Sequence, residues 1–274
     1  MKLVKPEFQI IEPTGYTIDD IYKSIELAGR VSHKSEDKIT ETSAKDFVGR
    51  MLNMKHLATC EFGTVYLYIY CYNPNFITNV NKYINNNYSE CIVDAEFPSG
   101  NAYISTNYRV LVENNWLDDL KYLCEPTKYH YKRYTVKFIC DRAIANEFIR
   151  HRKFSFLQES TRYCRYSDDK FNNELTFIEP CWLDELPHNE QSDFISSLGY
   201  TEDIYIKLTE QGWKAEEARN VLPLSLKTEL YMCGFAEDWK KFFELRCASN
   251  AHPQAKELAI PLKEEFIKRG YINE

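Results

Sequence analysis

A chain of 274 residues with 44 % hydrophobic and 27 % charged residues, but only 9 Gly and 10 Pro, has an ordinary soluble globular composition and is long enough to bury a core. Its net charge of −7 argues against broad binding to nucleic acid or an anionic membrane, both of which need a basic field over a whole face. The aromatic share, 15 % with 20 Tyr and 16 Phe, suits a protein that packs or stacks flat rings.

The opening MKLVKPEFQIIEPTG lacks the apolar core of a signal peptide, and no apolar run approaches the about 20 residues needed to span a membrane. The nine cysteines (60, 71, 91, 124, 140, 164, 181, 233 and 247) include no CxxC pair. Free, mostly buried thiols in a reducing cytoplasm are expected, and no metal site.

Thr17–His33 and Ser43–His56 read as amphipathic helices, the second carrying Phe47, Met51, Leu52 and Met54 behind a Ser43 cap. TVYLYIYCY, Thr64–Tyr72, is β-branched and aromatic, hence a strand. From Asn73 to about Ser99 the chain turns Asn- and Tyr-rich with no clear period, and YISTNYRVLVEN and a short helix from Trp116 to Cys124 come next. About 73–130 is read as an insertion within a single domain spanning 1–274. YTVKFI, Tyr134–Ile139, is a second strand, and Asp141 caps a helix with Ile144, Ala145, Phe148 and Ile149 on one face. ELTFIEP is another strand. Helices are expected around 189–198, 202–219, 237–248 and 254–268, with LPLSLKTELYM crossing between two of them, so the class is α+β.

The basic residues cluster. In EFIRHRKFSFLQESTRYCRYS, Arg150, His151, Arg152, Lys153, Arg162 and Arg165 fall within sixteen residues. A solvated helix end, where cations meet the negative pole of the helix dipole, is the plain reading. The neighbouring residues point elsewhere: Ser155, Phe156, Gln158, Ser160, Thr161, Arg162 and Tyr163 supply donors and rings for a phosphate and a planar heterocycle. With no GxGxxG or Walker sequence, side chains must build such a site.

Arg150-His151-Arg152, seven residues and then Ser160 resembles the RHR-x7-S signature of the flavin-dependent thymidylate synthases, and Ser160-Thr161-Arg162 extends the likeness. HLATCEF (His56 to Glu61), EEARNVLPL, DWKKFFELR and AHPQAKELA resemble further family segments in the right order, outside roughly 73–130.

The resemblance implies an α+β fold with a mixed central sheet and flanking helices, assembled as a homotetramer whose sites form between subunits. It implies synthesis of dTMP from dUMP, with a methylene from 5,10-methylenetetrahydrofolate and a hydride from FAD reduced by NADPH or NADH. It places His56, Ala58, Arg150, His151, Arg152, Gln158 and Lys241 at the FAD. It places Glu147, Arg150, Gln158, Glu159, Ser160, Thr161, Arg162, Arg219 and Arg246 at dUMP. Arg162 is the implied phosphate partner, and Arg246 the implied catalytic group, favouring ionisation of the uracil ring so that C5 attacks the methylene without an enzyme nucleophile. Ser160 is then a binding group, although a lone serine beside His151 also invites a nucleophile reading.

Some positions depart from the commoner pattern: Glu147 stands where a Gln is usual, Ala58 where a Ser or Thr often touches FAD, and Lys241 in place of an Asn. Two alternatives remain open from the residues. One is a single-strand nucleic-acid module using the Arg and Tyr cluster, and the other a nucleotide-binding flavoprotein without methylation activity.

Overall fold

The computed structural model describes residues 1–95 and 100–273, so the part of the Asn- and Tyr-rich stretch at 96–99 lies outside the described residues. In chain order the strands and helices are β1 (Lys2–Val4), β2 (Glu7–Ile11), α1 (Ile18–Arg30), α2 (Ser43–Asn53), β3 (Thr64–Ile69), α3 (Phe76–Ile84), β4 (Glu90–Val93), β5 (Ala102–Asn107) and α4 (Tyr108–Glu113). The second half has β6 (Arg133–Asp141), α5 (Arg142–Phe148), β7 (Ser155–Gln158), β8 (Thr176–Ile178), α6 (His188–Glu210), α7 (Ala215–Ala218), β9 (Lys227–Phe235), α8 (Ala236–Arg246) and α9 (Pro253–Lys268).

The class is α+β. Four strands in the order β2-β6-β9-β7 form the central sheet, and every neighbouring pair in it is antiparallel. Parallel pairing does occur, but in a separate two-stranded sheet of β1 and β8, so the expected mixture is divided between sheets. The period of two sets what each face of the central sheet buries. Val136, Phe138, Leu230 and Met232 point into a core shared with Phe148 of α5, Trp239 and Phe242 of α8, and Leu258 and Phe266 of α9. Tyr231 and Cys233 point the other way and pack on Ala28 of α1, Val31 and Phe62.

The described residues of the 73–130 segment carry strands and helices. Its β4 and β5 join β3 in a three-stranded antiparallel sheet, and all six residues of β5 are buried. That sheet packs with α1, α2 and α3 around Ile25, Phe47, Leu67, Val80 and Ile104.

Several local expectations change. Ser43 is the first helical residue of α2 rather than its cap; its hydroxyl donates to Glu26 Oε2 at 2.8 Å and accepts from Thr40 N–H at 2.9 Å. The two helices expected between 189 and 219 are one helix, α6, whose chain reverses near Gly212 at φ +94°, followed by the one-turn α7. Gly199 sits inside α6 with open space around it, so nothing there forces a break. The second half of the crossing LPLSLKTELYM, from Lys227 on, is the start of β9, a central strand whose apolar run is buried on both faces and carries no helix-versus-strand period.

Candidate functional site

Asp141 fixes the start of α5 twice over: its Oδ1 accepts from Ile144 N–H at 2.7 Å, and its Oδ2 from Gln254 Nε2 of α9, also at 2.7 Å. The seven-residue helix ends at Phe148, the chain turns through Arg150–Lys153, and β7 then enters the central sheet. The end of α5 thus faces the end of α8, where Arg246 lies.

Arg246 is bound on three sides. Its Nε donates to His151 Nε2 at 3.0 Å, its Nη1 to Glu147 Oε2 at 2.5 Å, and its Nη2 to the Glu147 carbonyl at 2.6 Å. That carbonyl also accepts from Arg150 N–H at 3.4 Å, so the guanidinium adds a second donor at the end of α5 as well as pairing with the Glu147 side chain. The His151 ring rests against Phe242 at 5.1 Å. Burial and then the Arg246 charge push the imidazole down to about 4, so it is neutral at pH 7. Its Nε2 accepts, which puts the ring proton on Nδ1. The departure at Glu147 therefore has a partner: the carboxylate is turned onto Arg246. Among the described residues, three of the five guanidinium N–H groups have partners and two remain.

Arg150, Arg152, Lys153 and Lys241 are exposed and make no ion pair among the described residues. Lys153 and Lys241 lie close enough together to act on the same two carboxylates, Glu90 and Asp238.

A second group forms beyond β7. Gln158 Nε2 donates to Thr228 Oγ1 at 3.2 Å. Glu159 is 1 % exposed and turns inward, accepting from Tyr166 Oη at 2.8 Å and Lys227 Nζ at 2.9 Å. Ser160 N–H donates to the Ser32 carbonyl at 3.2 Å, and its Oγ accepts from Arg162 N–H at 3.2 Å. No histidine reaches that hydroxyl among the described residues, and His151 is engaged with Arg246. Thr161 is buried. Arg162 is exposed, with Nε on Glu216 Oε2 of α7 at 2.9 Å and its guanidinium over the Tyr163 ring at 5.4 Å. Arg219, also exposed, lies three residues after Glu216, so the same acidic residue ties Arg162 to the short α7 and the turn carrying Arg219.

The turn after α1 carries two further residues that no sequence pattern marks. His33 stacks on Tyr163 with ring centroids 4.3 Å apart. Burial, then Lys170 and His56, hold its imidazole below its ordinary value, which places His56 in the same neighbourhood. His56 itself is exposed, as is Ala58, on the turn Leu57–Phe62 that packs against α1 and β7. Lys34, at φ +48°, reaches back to the central sheet. There Glu229 is ringed by Lys34 at 2.8 Å, Lys137 at 2.6 Å and Lys227 at 2.8 Å. Burial alone would raise the Glu229 carboxyl, but Lys227, Lys34 and Lys137 together hold it well below the usual range. A short basic-aromatic turn has no sequence period, which is why His33 and Lys34 give no signal in the sequence.

The site residues thus fall into two groups, Glu147–Lys153 with Lys241 and Arg246, and His56–Ala58 with Gln158–Arg162 and Arg219. No hydrogen bond or ion pair joins them among the described residues. Nor does any group of three His, Cys, Asp or Glu there form a candidate metal cage. Among those residues no helix is long and apolar enough to cross a membrane.

Residues 126–269 match the sequence profile of the family described as thymidylate synthase complementing protein, Thy1. The chain belongs to the Thy1 family. The match takes in every site residue from Glu147 to Arg246; His56, Ala58 and the three-stranded sheet lie outside it. The chain is 31 % identical over 142 residues to a probable flavin-dependent thymidylate synthase of Paramecium bursaria Chlorella virus 1, covering 49 % of this chain and 66 % of that protein. It is 28 % identical over 141 residues to the flavin-dependent thymidylate synthase of Synechocystis sp., again covering 49 % and 66 %. Against the enzyme of the same name from Pyrococcus furiosus it is 29 % identical over 133 residues, covering 48 % and 53 %. The matched part of this Thy1 chain therefore spans between about half and two thirds of these relatives.

Proposed function

We propose that this Thy1 chain makes dTMP from dUMP, with 5,10-methylenetetrahydrofolate as methylene donor and FAD as its flavin. The observation that carries the reading is the Arg246 corner: a guanidinium held by three acceptors, with a neutral histidine beside it and two N–H groups to spare, inside the segment that matches the family.

The residues fit a flavin dinucleotide by their chemistry. Arg150, Arg152, Lys153 and Lys241 are exposed cations with no ion pair among the described residues, the donor set a diphosphate requires. When bound, the flavin would supply the hydride that completes the methyl group, having been reduced by NADPH or NADH. Arg150, His151, Arg152 and Lys241 would hold it, with His56 and the backbone around Ala58 contributing from the other group. Arg162 and Arg219 would hold the nucleotide phosphate, and Ser160 and Thr161 would add neutral donors. The two spare N–H groups of Arg246 would favour negative charge on the uracil ring and so electron density at C5. Glu159, buried and paired, would support the pocket wall through Lys227 and Tyr166 rather than touch a ligand. In this reading the two residue groups meet across subunits of a homotetramer in the cytoplasm.

The purified protein should be yellow or take up FAD, and NADPH should bleach the flavin band, faster with dUMP present. A colourless protein that cannot take up FAD would refute the reading. One observation favours a second reading, a flavoprotein that binds nucleotide without methylating it: Glu147 already occupies Arg246.

A further inference from the structure

The charge at the α5–α8 corner differs from what a lone arginine would present. Arg246 and Glu147 are an ion pair at 2.5 Å, their side chains 15 % and 32 % exposed, and the neutral His151 adds nothing to balance the carboxylate. The pair by itself therefore cancels, where an amide at 147 would leave the Arg246 charge uncompensated and add one positive charge to a corner that already carries Arg150 and Arg152. An amide would also keep the oxygen acceptor for Nη1, so geometry does not require a carboxylate; only the charge distinguishes the two. A ligand using the two spare N–H groups must approach the guanidinium from beside the Glu147 carboxylate. A negative charge on that ligand is then repelled by the carboxylate, and at such short range salt weakens the repulsion without removing it.

We propose that Glu147 is a positioning and specificity-determining residue: it aims Arg246 and, by cancelling its charge, makes this site favour a neutral planar ring over an anionic one. The proposal rests on the nucleotide reading above and deepens it. Ionisation of a bound ring is then opposed until the carboxylate swings off Arg246, so the Glu147–Arg246 pair acts as a latch on the step that Arg246 would assist. The carboxylate is partly exposed and sits one residue from the end of its helix, so it has room to swing.

The test compares two nucleotides on the flavin-loaded protein by calorimetry at pH 8.5 without folate. The first is dUMP, and the second 5-fluoro-dUMP, whose ring fluorine makes N3 more acidic. Glu147→Gln should tighten 5-fluoro-dUMP by about tenfold while changing dUMP by less than about threefold. Glu147→Asp, which keeps the charge on a shorter arm, should retain the wild-type preference. Equal changes for both nucleotides in Glu147→Gln would overturn the proposal, as would a wild-type preference that survives removal of the charge. A second measurement needs no nucleotide: phenylglyoxal labelling of Arg246, mapped by mass spectrometry, should run several-fold faster in Glu147→Ala, which removes the acceptor, and an unchanged rate would show that the Glu147 side chain does not hold the guanidinium. If neither protein binds either nucleotide, the nucleotide reading fails, while the labelling rate still decides the pairing.

Discussion

Two charge clusters in this protein are built from the same residue types and come out differently. Around Glu229, three lysines converge on one carboxylate and Lys227 passes on to Glu159, which Tyr166 also bonds; both glutamates are buried. Around Arg246, one guanidinium meets one carboxylate, one carbonyl and one neutral imidazole, remains partly exposed and keeps two donors unused. The first cluster is turned inward, and each of its carboxylates is already paired. The second is unsaturated at the surface, which is what a binding site needs. A buried pair is costly to break because the survivor is left uncompensated, whereas a partly exposed one can exchange partners with little loss of stability.

That contrast predicts opposite phenotypes. Arg246→Ala should reduce dTMP formation to background, a loss of at least about a thousandfold if the guanidinium stabilises the reacting ring, with a melting temperature within a few degrees of wild type. Near-normal turnover would remove Arg246 from its assigned role. Glu229→Ala should do the reverse. Lys137 would lose its carboxylate, while Lys34 and Lys227 would keep only Glu36 and Glu159, so unfolding free energy should drop by about 3 kcal/mol, measured by urea denaturation. Turnover of the folded fraction should survive. A stable Glu229→Ala protein would mean that the cluster is less closed than its distances imply.

The pH dependence of stability separates the two clusters further. His151 is held down to about 4 in the folded protein, against an ordinary value near 6.5, so the unfolded chain binds the extra proton first. Stability from this group is thus present above about pH 6.5 and is lost as pH falls towards 4, by on the order of 2 kcal/mol after allowance for partial exposure. His151→Asn should flatten that fall. Glu229 is depressed instead, so its contribution holds above the ordinary carboxylate range and disappears only below it; Glu229→Gln should flatten the more acidic part of the curve. The smallest effect is expected at Ser160, whose hydroxyl accepts only a backbone N–H among the described residues: Ser160→Ala should keep activity within about tenfold of wild type, measured as initial dTMP formation. Complete loss with normal folding would revive the nucleophile reading.

Much of the fold is legible in the sequence, for physical reasons that can be named. Asp141 ahead of an apolar helical stripe marks α5, and the alternation of YTVKFI marks β6, because both patterns are set by one buried face. The RHR-x7-S spacing singles out Glu147–Arg165. Less legible are β9, where burial on both faces erases the period, and α6, where Gly199 looks like a break but meets no steric demand. The 73–130 segment looks irregular because β5 is buried throughout, and its Asn and Tyr residues include surface positions around α3 and β4. Pairings across long sequence separations are invisible. Nothing in the chain order announces that Arg246 meets Glu147 or that His33 stacks on Tyr163. Glu159 shows the same limit in reverse, since its place in the motif implies a pocket wall while its neighbours Lys227 and Tyr166 draw it inside.

The most direct measurement is tritium release from 5-tritiated dUMP by the flavin-loaded protein with NADPH. If Arg246 assists methylation, release should require 5,10-methylenetetrahydrofolate and be lost in Arg246→Ala. Flavin turnover without any folate-dependent release would contradict that role and leave a nucleotide-binding flavoprotein that does not methylate.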